Sequence, residues 1–128
     1  MKKPKTVWWP LFVDSFKFCI CVTEADMKQA ARSLKVPMLT DRDYGAAVHD
    51  GKTSDGERVN ILHIPNWENG DSTQLGLLVH EATHVAQNLM DHINEKEPSP
   101  EFQAFMVQGV FNIAHKELQA RTEKGSKK

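Results

Sequence analysis

The segment His80-Glu81-Ala82-Thr83-His84 carries the residue types and spacing best suited to chemistry in this chain. Four residues are about one helical turn, so the two imidazoles project from one face. Two imidazoles so placed can bind a single Zn²⁺ ion at two corners of a tetrahedron. Glu81 follows His80 by about 100° around the helix, close enough to a water at the metal to act as general base without ligating. The surrounding stretch, LLVHEATHVA over residues 77–86, has no charge besides the motif's own and no proline or glycine. So apolar a helix is expected to be buried, with Leu77, Leu78, Val85 and Leu89 packing it. The plainer alternative is two core histidines with satisfied hydrogen bonds beside an ion-paired Glu81.

A zinc site of this kind needs a third protein ligand. Met90 stands six residues after His84, where a metzincin has its third histidine, and Gln87 replaces the metzincin glycine. Asp91 and His92 come next, near the expected helix end, and read first as polar C-terminal residues. Glu101 is the stronger candidate. It opens Glu101-Phe102-Gln103-Ala104 and lies 17 residues beyond His84. A following antiparallel helix could return its carboxylate to the metal, and the small Ala104 permits close approach. A glutamate after Ser99-Pro100 is also favoured by the helix dipole alone. Glu95 and Glu97 remain alternatives, with a solvated loop as their ordinary setting.

The elements that must position these residues follow from the hydrophobic pattern. Phe16, Phe18, Ile20 and Val22 alternate with Lys17, Cys19 and Cys21 as a period-2 strand, which makes the two cysteines packing residues of its second face. Thr23 and Asp26 have the spacing of a helix cap, and Met27, Ala30, Ala31 and Leu34 form a helical stripe ending before Pro37. Residues 44–50 and 57–64 read as two strands around the loop GKTSDG. In the second of these, Val59, Ile61 and His63 share one face and Asn60, Leu62 and Ile64 the other. Asp71 or Ser72 opens the HExxH helix, with Asp71 and Gln74 at capping-box spacing and an end near Met90 or His92. Ser99 and Pro100 open a last helix whose expected buried stripe is Phe102, Phe105, Met106, Gly109, Val110 and Ile113. The order β-α-β-β-α-α predicts one α+β domain over residues 1–128, a small mixed or antiparallel sheet with packed helices. Residues 1–6 and 121–128 read as tails.

Composition bounds the function classes. The chain has 128 residues, 16 basic and 17 acidic, with a net charge of −1, and this gives no overall pull towards nucleic acid or anionic membrane. No run of 18 apolar residues exists, so no transmembrane helix is expected. The lysines before Val7–Val22 superficially suggest a signal peptide, but Pro10, Asp14 and Lys17 interrupt the apolar run. Cys19 and Cys21 are the only cysteines, which points to a reduced, cytoplasmic protein.

HExxH on one helix with the glutamate of an ExxA on the next resembles the gluzincin branch of zinc metallopeptidases. Size and element order resemble its smallest members, the minigluzincins. The phrases HEATHVAQ and PEFQAF are similar to small phage-encoded metallopeptidase-like proteins, over about residues 75–108. The resemblance implies one zinc ion on His80, His84 and Glu101, Glu81 as general base, and hydrolysis of a peptide or protein substrate. It also implies that substrate lies along the edge strand before the active helix, residues 58–64 here. Larger gluzincins add an oxyanion-stabilising tyrosine or histidine. Tyr44, His49, His63 and His115 all read first as packing or surface residues. Trp67 reads as packing, and Trp8 and Trp9 as covering the core. No specific substrate-binding residue can be named, and the oligomeric expectation is a monomer or small homo-oligomer. The alternative function is a catalytically inactive zincin-fold binding module with structural zinc. Peptide deformylase, another HExxH family, is set aside because neither cysteine has that family's glycine-cysteine-leucine context.

Overall fold

A computed structural model of the protein describes residues 6–34, 47–65 and 67–126. The elements are β1 (Trp9–Leu11), β2 (Val13–Cys21), α1 (Glu24–Leu34), β3 (Ala47–Lys52), β4 (Arg58–His63), α2 (Ser72–His92) and α3 (Pro100–Ser126). The four strands form one mixed sheet in the order β1-β2-β4-β3. β2 and β4 are parallel, while β1 and β3 run antiparallel to their neighbours at the two edges. Helix α1 covers one face and the α2–α3 hairpin the other, which makes this an α+β fold of three layers.

The period-2 pattern of β2 creates the two faces. Phe16, Phe18 and Ile20 join Leu62, Ile64, Leu78, Val85, Leu89, Val110 and Leu118 in the larger core. Cys19 and Cys21 point the other way and pack with Ile61, Met27 and Ala30 under α1. Both cysteines are free and buried. The neighbouring Cys21 and then burial push the Cys19 thiol well above the ordinary thiol range, which suits packing rather than chemistry. Trp8 donates from its indole to Ser33 Oγ at 3.1 Å on the α1 side, while Trp9 lies against Phe18 with ring centroids 6.1 Å apart. Adjacent tryptophans thus cover opposite faces of the sheet.

Several boundaries differ from the sequence pattern. β1 is an unexpected three-residue edge strand containing Pro10, a position where a missing N–H is tolerated. Phe12, with φ of 66°, turns the chain into β2, which begins earlier than Phe16. The hairpin strands are shifted too: Gly51 and Lys52 belong to β3, and the turn tightens to Thr53–Glu57, with Gly56 at φ of 87°. Residues 35–46 lie outside the described residues, so the expected strand start at Tyr44 and the role of Tyr44 do too. At the other end, α3 continues through Ser126, so most of the expected C-terminal tail is helix. Arg121 anchors it by donating to Ile20 O at 3.0 Å and pairing with Glu117 at 2.9 Å.

The buried stripe of α3 consists of Val110, Ala114 and Leu118, with Phe102, Met106 and Ile113 partly covered. Phe105 does not belong to it and is 57% exposed. It stands five residues before Val110, about 140° away around the helix, whereas Met106 is one turn away. Among the described residues no helix is long and apolar enough to cross a membrane.

The caps fix the helix ends. Thr23 and Asp26 form a reciprocal box: Asp26 N donates to Thr23 Oγ1 and Thr23 N donates to Asp26 Oδ2, each at 3.0 Å. Asp71 caps α2 by accepting from Gln74 N at 3.0 Å, but the returning Gln74 Oε1 is buried without a hydrogen-bond partner among the described residues. α2 ends in a Schellman motif, with Glu95 N donating to Met90 O at 2.8 Å and Asn94 N to Asp91 O at 3.1 Å. Asn94 takes the left-handed conformation this requires, at φ of 61°. Ser99 Oγ accepts from Phe102 N at 3.1 Å and starts α3.

Two predictions follow from these caps. Asn94→Val should destabilise the protein by about 1–2 kcal/mol, because a β-branched residue resists positive φ, while Asn94→Gly should not. Urea unfolding of both variants measures the difference. Burial alone would raise the Asp26 carboxyl, but the Thr23 and Val22 N–H groups, the Thr23 hydroxyl and Arg121 outweigh it and hold the carboxyl below the usual range. A depressed folded pKa gives stability that is complete above the unfolded value and lost as pH falls through the folded one. Acid unfolding below about pH 4 should therefore be shallower in Asp26→Asn than in wild type; parallel acid limbs by circular dichroism would contradict this.

Candidate metal centre

Helix α2 anchors itself in the core through Leu78, Ala82, Val85 and Leu89, all fully buried. His80 and His84 stand two residues either side of Ala82, about 160° around the helix from it. They therefore face outward, and the His80 side chain is 66% exposed. Leu77 and Val79 flank them and are exposed as well. The expectation of a helix buried all round is corrected here: α2 belongs to an outer layer and can bury only the side turned towards the sheet and α3.

The two imidazoles converge. Their Nε2 atoms are 3.2 Å apart, and the rings meet edge to face with centroids 4.8 Å apart. Two nitrogens bound tetrahedrally to one zinc at about 2.05 Å would be about 3.3 Å apart, so the pair fits two corners of such a site. Nitrogens this close must share either a proton or a cation, since facing lone pairs repel. The Nδ1 atom of His84 meets Gln87 Oε1 at 3.0 Å. Glu81, unlike the two histidines, is buried at 6% exposure, and its Oε2 lies 3.9 Å from His80 Nε2. One stretch of helix thus displays two nitrogen donors to solvent and holds a carboxylate behind them.

Glu101 is not brought to this pair. It is exposed in the first turn of α3, nine residues before buried Val110 and so about half a turn around the helix from it. In addition, α2 continues eight residues beyond His84, about 12 Å, before the chain reverses. The first turn of α3 therefore packs near the end of α2: Gln103 lines a cavity of about 410 Å³ together with Gln87, Met90 and Asp91. Among the described residues, no group of three or more histidine, cysteine, aspartate or glutamate side chains is arranged to hold a metal ion.

The alternative ligands have other surroundings. Asp91 accepts from Arg58 Nη1 at 2.5 Å, and His92 Nε2 lies 2.8 Å from Ser15 Oγ, beside the Phe16 ring. Glu95 and Glu97 are exposed in the connector. His63 Nε2 lies 3.3 Å from Val22 O, and its ring is 6.5 Å from that of His49. Burial lowers the pKa of both, with His63 adding to the effect on His49. His115 stacks on Phe111 and meets Trp67 edge-on, and Trp67 is itself buried. His49, His63, His92, His115 and Trp67 thus pack against neighbours, Asp91 is held by Arg58, and Glu95 and Glu97 face solvent.

β4 is not an edge strand. It pairs with β2 on one side and β3 on the other, so the outer strand beside α2 is β3, residues 47–52. A polar network missed by the sequence reading ties β3 to α2. Arg58 Nη2 and Nε donate to Asp50 at 2.7 and 3.0 Å, and Asn60 Nδ2 donates to Asp50 Oδ1 at 2.7 Å. Asn88 Nδ2 donates to Asn60 Oδ1 at 2.8 Å. The available signal was Asn60, an amide sharing a strand face with Leu62 and Ile64, since a polar group in a core must find partners.

Compared with protein-family models, curated proteins and solved structures, the chain matches none.

Arg58→Met removes the shared donor of Asp50 and Asp91 and should destabilise the protein by about 1–3 kcal/mol. It should also loosen β3 against α2, read as faster amide exchange in residues 47–52. Unchanged exchange there would show that the network does not hold the edge strand.

Proposed function

We propose that the protein is a zinc-dependent metallopeptidase of the gluzincin type, acting in the cytoplasm on a peptide or protein substrate. The observation carrying this reading is the convergence of His80 and His84 Nε2 at 3.2 Å, with Glu81 buried beside them. His80 and His84 would hold one zinc ion. Glu101 is the proposed third ligand on the strength of the ExxA resemblance. Bound zinc would supply a Lewis acid that polarises the peptide carbonyl and makes water acidic enough to attack it. Glu81 accepts the proton of the attacking water at a carboxylate oxygen and returns it to the leaving amine nitrogen. Its shielded position keeps that carboxylate close to the imidazoles rather than free in solvent. An extended substrate would add to the outer edge of β3 through backbone hydrogen bonds.

One observation favours a second reading. The histidines face outward and Glu101 stands apart from them, as suits a binding module in which the pair holds a metal without hydrolysis.

Elemental analysis of wild type, Glu81→Gln and Glu101→Ala separates the two. The peptidase reading expects one zinc in wild type, retained in Glu81→Gln and weakened in Glu101→Ala. It also expects peptide cleavage by wild type that falls at least about 100-fold in Glu81→Gln. Zinc uptake unaffected by Glu101→Ala, with no cleavage, would support the binding module. No zinc uptake by wild type would remove both.

A further inference from the structure

Gln87 lies on the exposed face of α2, three residues beyond His84, and its amide meets the ring nitrogen that faces away from the histidine pair. A neutral imidazole carries its proton on one nitrogen only, and an amide oxygen can only accept. With Oε1 turned to the ring, a neutral His84 carries its proton on Nδ1 and keeps a lone pair on Nε2. In the metal-free protein with both rings neutral, the 3.2 Å contact then has His80 donating from Nε2. The two imidazoles are therefore opposite tautomers, His84 ready to ligate and His80 needing to move its proton to Nδ1 before it can.

We propose that Gln87 is a positioning residue that fixes His84 as the Nδ1–H tautomer and aims its Nε2 lone pair at an incoming cation. The consequence for metal binding rests on the zinc reading above; the tautomer does not. Because Gln87 also lines the cavity formed by Met90, Asp91, Asn94, Glu95 and Gln103, its side chain links His84 to the end of α2. Outer-shell acceptors of this kind commonly change metal affinity about 10–100-fold.

The test uses ¹⁵N–¹H correlation spectra of the histidine side chains in the metal-free full chain, with zinc affinity from chelator competition. Wild type should show His84 protonated on Nδ1 and His80 on Nε2. Gln87→Leu should lose that preference at His84 and bind zinc about 10-fold or more weakly. Gln87→Glu, which keeps an acceptor, should restore both. Far-ultraviolet dichroism matching wild type establishes that the variants fold. His84 protonated on Nε2 in wild type, or a tautomer unmoved by Gln87→Leu, would overturn the proposal. Failure of wild type to bind zinc would instead overturn the peptidase reading, and the tautomer spectra would still decide the role of Gln87.

Discussion

The rest of the structure depends on the 3.6-residue period of α2. The same 21-residue helix forms one outer wall of the larger core and carries the HExxH segment. Leu78, Ala82, Val85 and Leu89 commit one side to burial, and the geometry of the helix then sends His80 and His84 outward. Glu81 falls between these two directions. It is covered by the fold, yet its Oε2 lies 3.9 Å from His80 Nε2.

Around this helix the fold supplies two kinds of support. Apolar packing holds α2 and α3 on one sheet face, while α1 covers the other through Met27 and Ala30. Packing of this sort fixes position but tolerates sliding. The polar network of Asp50, Arg58, Asn60, Asn88 and Asp91 is directional and ties the outer strand β3 to α2 in one register. The proposed substrate strand and the histidine pair are thereby held in one frame. The Schellman turn at Asn94 then sets where the chain reverses and where the first turn of α3 lies relative to the site.

The Nε2 atoms of His80 and His84 converge to 3.2 Å, and Glu81 is buried beside them. Glu101 lies beyond two extra turns of α2 and on the outer face of its own helix. The resemblance that assigns it as a ligand rests on sequence, and the metal contents of the variants decide between that assignment and a binding role.

The local features were legible in the residues because they obey short-range rules. The faces of β2 and β4, the Thr23–Asp26 box, the Asp71 cap, the Ser99–Pro100 start and the pairing of His80 with His84 all follow from spacing along one segment, and the α+β class from the order of those segments. What required the tertiary structure involves which segments become neighbours. Exposure of His80 and Phe105 depends on where layers end, and the interior place of β4 depends on the order in which strands assemble. Arg58 could not be paired with Asp91 from sequence because their contact crosses from sheet to helix. The distance between Glu101 and the histidines depends on where α2 stops and how α3 turns its face. Periodicity determines which side of an element is apolar, but only packing determines what that side meets and what the opposite side is left to face.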